Sequence, residues 1–301
     1  MKNLIAIFSV LIIIISSSCD RVENPVIIRD TSLDWTLYPD SDTSTYPWPI
    51  WTQNSNSSQY VLLEDYTGHT CTNCPAAAAE AKNIENANGG KVIVMSVHAS
   101  TTGGFQVPNP PELPTDHRTS AGNEYATAMN IAFNPAGAIN RTLSGGDYYV
   151  FSSDWSTRTN TELSKTPDFN LQVAYNYYSQ TKGLFLHTET EVLNDVSGNF
   201  SITSFLVRDT LVAPQETTGG VLIEDYDHHN VLTDNINGTW GTPIISGGAT
   251  AGTKLYNNFT YKMKDAVADS SFNINNISII TIVADRDNFE IKQVIKTALS
   301  E

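Results

Sequence analysis

Cysteine is scarce in this 301-residue chain, which has three: Cys19, Cys71 and Cys74. So few thiols exclude a disulfide-dense scaffold and a four-thiolate zinc module. Positive charge is also short, with Lys+Arg 17 against Asp+Glu 32 and a formal net charge of −15. No basic surplus exists to neutralise phosphates, so nucleic acid is not an expected partner. Electrostatic docking on anionic lipid is disfavoured for the same reason. Beyond the N-terminus no apolar run approaches the roughly 20 residues that a transmembrane helix needs. What is present is 40 % hydrophobic and 10 % aromatic residues, enough to build cores and to exclude wholesale disorder. At about 150 residues per domain, the length suggests two.

The N-terminus speaks to compartment. Residues 1–18 run from Lys2 through the apolar stretch Leu11 to Ile15 and then Ser16-Ser17-Ser18, immediately before Cys19. That is a charged start, a short apolar region and a small-residue cleavage zone, the layout of a signal peptide. Small residues followed at once by cysteine resemble the lipobox of bacterial lipoproteins, with Ser16 standing where Leu is usual and Ile15 one place earlier. The resemblance implies removal of residues 1–18 and lipid on Cys19, with ordinary secretion as the alternative. If lipid takes Cys19, one C-x-x-C pair remains in an oxidising compartment.

Residues 19–58 read as a tether rich in Asp, Ser, Thr and Pro. Trp35, Trp48 and Trp51 are more tryptophans than a disordered tether usually carries, so part of it is expected to pack on the body. Residues 59–166 alternate strand and helix. Tyr60 to Tyr66 is an apolar run read as a buried strand, and Pro75 with Ala76 to Ala79 opens a helix that ends at Gly89-Gly90. Lys91 to His98 is a second strand, and residues 99–118 are a Gly/Pro-rich loop. A helix over 119–131, a strand over 136–141, a hairpin at Gly145-Gly146 and a helix over 153–165 complete an α/β unit. Pro167 opens a second domain, 167–301, of short strands (170–175, 184–193, 199–208, 219–225, 253–263, 276–284 and 289–298) without helices between them. This predicts an all-β antiparallel sandwich, with Ile291 to Leu299 open to a short helix instead.

The chemistry centres on Cys71-Thr72-Asn73-Cys74, placed between a strand and a helix in the thioredoxin-like manner. Thiol–disulfide exchange needs a thiolate on the outer cysteine and a second thiol near enough to resolve the mixed disulfide. Cys71 is the expected nucleophile and Cys74 the resolving thiol. Pro75 favours a helix start after the pair, which moves Cys71 away from the helix dipole. The alternative is a permanent staple. His69, Cys71, Cys74 and His98 also offer metal-ligand types, but no second cysteine pair completes a common zinc site, so no metal and no cofactor are expected. His98 ends its strand on the edge where α/β sites form. His228 and His229 read as polar loop residues without a role. Strand alternation sends one of Glu64 and Asp65 outward.

Taken together, Glu64 to Gly68, the Cys71/Cys74 pair with Pro75, the strand ending at His98, and Asn134-Pro135 leading to Asn140-Arg141 resemble the outer-membrane lipoprotein family typified by the 28-kilodalton outer-membrane protein of Bacteroidetes. The match is good over about residues 60–145 and looser toward the C-terminus. It implies an outer-membrane, lipid-anchored protein with an α/β thioredoxin-like domain followed by an all-β antiparallel sandwich. By likeness to thioredoxins, Asp65 is the buried carboxylate that relays a proton to the resolving cysteine. Pro135 is the cis-proline lining a substrate groove, with His98 beside it. Expected partners are envelope proteins or a redox partner, acted on by thiol–disulfide exchange. The rival expectation is a non-catalytic surface binding or adhesion lipoprotein.

Overall fold

The structure, a computed structural model, describes residues 32–56, 58–263 and 273–301. Cys19 and the signal segment lie outside the described residues. The first half supplies β1 Val61–Thr67, α1 Cys74–Ala87, β2 Val92–His98, α2 Ser120–Ala128, β3 Ala136–Ile139 and α3 Ser152–Leu163. The second half supplies β4 Phe169–Tyr178, β5 Gly183–Val192, β6 Val196–Ser197, β7 Phe200–Thr217, β8 Val221–Asn235, β9 Thr242–Ile245, β10 Gly248–Ala249, β11 Lys254–Lys262, β12 Ile277–Asp285 and β13 Ile291–Ala298.

A large mixed sheet runs in the order β13-β12-β7-β8-β2-β1-β3, with β9 also paired to β7. Strands from both sides of Pro167 therefore share one sheet, joined where Ser96 of β2 meets Val231 of β8 in parallel. A three-stranded antiparallel sheet, β11-β5-β4, packs on the second half of it. Leu184 and Leu186 of β5 meet Leu206, Ile277 and Ile279 there. The sandwich expected of the C-terminal half is thus present, but one of its layers is the sheet that also carries the N-terminal half.

Sequence explains the layering. β1 is buried at every position, so it reads as a continuous apolar run and not as alternation. One face of β1 and β2 is covered by α1 and α3: Val61, Leu63, Val92 and Val94 pack on Ala77, Ala81, Ile84 and Trp155. The residues α1 buries, Cys74, Ala77, Ala81 and Ile84, fall three and four apart, the spacing of one helix face. Trp155 of α3 lies flat on Gly137 of β3, where a Cβ would come within 2.1 Å of its indole nitrogen. The other face holds Leu62, Tyr66, Met95, Phe205, Val207, Ile280 and Ile282, covered by Tyr125 of α2.

The strand expected over 289–298 is present as β13, which pairs along β12 from Ala298↔Ser278 to Ile291↔Ala284, so the helical alternative for Ile291 to Leu299 does not hold. One expectation changes at β1. Glu64 and Asp65 are both buried, since each face of β1 has its own cover. The tether packs as predicted in part: Trp35, Leu37, Tyr38, Tyr46 and Trp48 gather on Phe185 of β5.

Candidate functional site

At the C-terminal end of β1 the chain turns through Gly68 and enters α1 at Cys74. Gly68 is required because the backbone of Phe105, in the loop after β2, passes where a Cβ would lie 2.6 Å away. That loop is tied down by the Thr70 amide, which donates to the Phe105 carbonyl at 3.0 Å. Asn73 is the N-cap and Pro75 sits in the first helical turn, so the helix begins at Cys74 and Cys71 stands a turn before it. Cys71 and Cys74 form a disulfide.

The disulfide is covered. Cys71 is 3 % exposed and Cys74 1 %. The roof is the long hairpin of β7 and β8. The Glu216 amide donates to the His69 carbonyl at 2.8 Å. Gln215 Nε2 donates to the carbonyls of Gly68 and Cys71 at 3.3 Å each. Thr218 Oγ1 donates to the Thr72 carbonyl at 3.4 Å. An exposed nucleophile at Cys71 is therefore not what the fold presents.

Asp65 lies under α1, paired in register with Ser96 on β2 and Gly137 on β3. It lines a cavity of about 40 Å³ together with Cys74, His98, Gln215, Tyr226 and His228, large enough to admit water. Burial pushes its carboxyl pKa up to about 7, because a charged carboxylate loses its hydration there. Its Oδ1 has no hydrogen-bond partner. On the opposite face Glu64 meets Arg141 in a bidentate pair, with Arg141 Nε donating at 2.9 Å and Nη2 at 2.6 Å. The guanidinium also sits 4.3 Å above the Tyr125 ring. The Asn134–Pro135 bond is cis. Pro135 immediately precedes β3, whose Ala136 pairs with Tyr66, so it stands beside the end of β1.

Histidine gives the largest departure from expectation. His228 and His229 are not loop residues; both lie inside β8, and His228 is buried. His98 does not face solvent at its strand end; it is buried with His69, His117 and His228. Ring centroids are 4.7 Å apart for His98–His117, 5.0 Å for His117–His228, 5.5 Å for His98–His228 and 5.8 Å for His69–His117. Burial, reinforced by the neighbouring imidazoles, holds His98 well below its usual pKa, and likewise lowers His117 to about 3. Burial also lowers His228 to about 4 and depresses His69. All four rings are therefore neutral near pH 7. As the side chains stand, no group of three His, Cys, Asp or Glu forms a ready metal-binding arrangement among the described residues.

Sequence reasoning reached Cys71, Cys74, Asp65, Pro135 and His98, and the fold brings Cys74, Asp65 and His98 to one cavity. It missed Gln215, Arg141, His117 and His228. The four histidines come from four separate segments, so no spacing links them; His228 could have been found only by extending the strand beyond Tyr226.

No described helix is long and apolar enough to cross a membrane. The sequence pattern of the family described as outer membrane protein Omp28 matches residues 122–301, well over half of the chain. The protein belongs to the Omp28 family. Membership places it at the outer membrane. No curated protein matches the sequence. Among solved structures, HBP35 of Porphyromonas gingivalis is 14 % identical with a TM-score of 0.60, over 82 % of this chain and 77 % of that one. A protein of Agrobacterium tumefaciens is 11 % identical with a TM-score of 0.50, over 82 % of this chain and 97 % of that one. A domain of the outer membrane lipoprotein Omp28 from Porphyromonas gingivalis is 18 % identical, over 44 % of this Omp28-family chain and 89 % of that domain, with a TM-score of 0.32. At these identities the first two likenesses concern the fold alone.

Proposed function

We propose that this Omp28-family protein is a lipid-anchored envelope binding protein on a thioredoxin-like frame, in which Cys71–Cys74 is a structural disulfide. In this reading residues 1–18 are removed and Cys19 carries the lipid. The thioredoxin-like frame is β1, α1, β2 and β3 with cis-Pro135, and the antiparallel half builds the cover. The observation that carries the reading is the roof: both cysteines are at most 3 % exposed beneath hydrogen bonds from Gln215, Glu216 and Thr218. Exchange needs in-line approach of one sulfur to another, and access is a condition of the rate.

A second reading, thiol–disulfide exchange on envelope proteins, is favoured by Asp65. A carboxyl with a pKa of about 7 in the cavity that Cys74 lines is matched to accepting a thiol proton near neutral pH. In that reading the hairpin lifts and a donor dithiol of the envelope first reduces the Cys71–Cys74 disulfide. The Cys71 thiolate then attacks the partner disulfide and expels one partner thiolate. Cys74, its proton passed to Asp65, resolves the mixed disulfide, releasing the second partner thiol and restoring Cys71–Cys74.

The reduction potential of the pair, with alkylation of the reduced protein in the absence of denaturant, separates the two. The structural reading expects a potential below about −300 mV and thiols that resist alkylation. A potential between roughly −120 and −270 mV with a reactive Cys71 overturns it in favour of exchange.

A further inference from the structure

We infer that His98, His117 and His228, with His69 beside His117, form a binding site for a divalent first-row transition-metal ion of the zinc type. The inference goes beyond the reading above and holds whether or not the disulfide turns over. It starts from an imbalance. A neutral imidazole has one donor and one acceptor nitrogen, and leaving either buried without a partner forfeits its hydration with nothing in return. Here His69 Nδ1, both nitrogens of His98, His117 Nε2 and His228 Nε2 are buried with no hydrogen-bond partner, and the residues carrying them are at most 6 % exposed. The same protein satisfies a buried histidine elsewhere: His187 meets Tyr46 Oη at 2.6 Å and Asn258 Oδ1 at 2.7 Å. The four-ring cluster is therefore not how this fold ordinarily treats histidine.

The spacing of the rings fits a shared ion. A zinc–imidazole bond of about 2.0–2.1 Å places each ring centroid about 3 Å from the metal, and tetrahedral angles then separate neighbouring centroids by about 5 Å. The three mutual separations among His98, His117 and His228 run from 4.7 to 5.5 Å. The outer contacts fit as well. A ligating histidine almost always donates its other ring N–H to a carbonyl or carboxylate, which fixes the tautomer. His228 Nε2 is buried without a partner, an open nitrogen on the ring that faces the cluster. His69 Nε2 lies 3.1 Å from the Val107 carbonyl, leaving Nδ1 open. Imidazole suits zinc, copper and nickel, and with the sulfurs joined in a disulfide no thiolate competes. The nitrogens do not yet converge on one point, so binding turns the rings about their χ2 axes, a soft torsion, while the centroids stay near their places.

The test uses the full chain without a histidine tag, disulfide intact, stripped with a chelator. It is titrated with Co²⁺, followed by visible absorption, and with Zn²⁺, followed by calorimetry. One Zn²⁺ per chain is expected, with a tetrahedral Co²⁺ spectrum that Zn²⁺ displaces and a raised melting temperature. His117→Ala, on the loop and outside the sheet, and His228→Gln should each weaken Zn²⁺ binding by ~100-fold or more. His229→Ala, outside the cluster, should bind as the wild type does. Circular dichroism and melting of the metal-free variants show that each is folded. A wild-type chain with no saturable one-to-one binding overturns the inference. So does undiminished binding in folded His117→Ala and His228→Gln, which would locate the ion on surface carboxylates.

Discussion

Asp65 shows at the residue scale how burial without a charge partner sets a pH dependence. Its carboxyl takes up a proton near pH 7 in the folded chain, against about 3.9 in an unfolded one. Between those values the folded state binds more protons at Asp65, so the contribution of this group to stability is greatest at or below about pH 4 and falls as pH rises to about 7. Asp65→Asn removes the ionisation and keeps the shape. The variant should melt higher than wild type at pH 8, by an increment on the order of 2–4 kcal/mol, and no higher at pH 4. Thermal unfolding at the two pH values checks this, and an equal gain at both would refute it. Glu64, one residue away, makes the opposite case, because its charge is met by a bidentate Arg141. Glu64→Gln leaves that guanidinium buried and unmatched, and should cost about 3–5 kcal/mol in urea unfolding. Glu64→Leu combined with Arg141→Met should recover most of the loss.

At the scale of elements, the hairpin of β7 and β8 decides what the cysteine pair can do. The strand–turn–helix around Cys71 and Cys74 was legible in the sequence because each of its signals is local: the apolar run, the turn and the proline start. The cover was not. The expectation ends the strand at residue 208, where polar residues and then Pro214 interrupt it. The structure instead carries β7 on to Thr217 and absorbs Pro214 in a register shift between Ala213 and Gln215, a bulge of the kind that tolerates proline. Val221 to Tyr226 repeats the sequence of Val61 to Tyr66 in β1 with Ile223 in place of Leu63, yet it is largely exposed, because it lies at the tip of that hairpin. Composition alone does not tell a core strand from a flap. Removing residues 213–226 and joining Val212 to Asp227, which pair in register, through Asn-Gly gives a two-residue turn of the favoured type. The shortened protein should lose its disulfide to dithiothreitol about tenfold faster or more, since reduction no longer waits on local opening. Gln215→Ala should give a smaller change in the same direction. Unchanged reduction kinetics in the shortened protein would mean that the hairpin is not the barrier.

At the scale of the whole molecule, the change of sequence pattern at Pro167 marks a change in how strands are connected, and the core runs across it. One apolar cluster takes Leu62, Met95 and Tyr125 from before that point and Phe205, Leu232 and Ile282 from after it. Polar links cross at the same level. Gln293 of β13 accepts from the Tyr60 amide at 3.0 Å and donates to the Ser58 and Phe169 carbonyls. The Ile291 amide donates to the Asn140 carbonyl at 2.8 Å. A fragment holding residues 167–301 alone would expose the Phe205, Val207 and Ile282 face and lose the partners of Gln293, leaving buried amide groups to hydrate. Calorimetry of the intact protein should therefore give one cooperative transition with calorimetric and van't Hoff enthalpies in agreement, and the isolated fragment should show no cooperative unfolding. Two resolved transitions, or a fragment with its own sharp melt, would mean that the halves fold independently and that the parallel bridge between Ser96 and Val231 is a contact between domains. A single transition ties the hairpin roof, the disulfide and the histidine cluster to one stability, so that a ligand bound among the four rings would raise the melting point of every strand together.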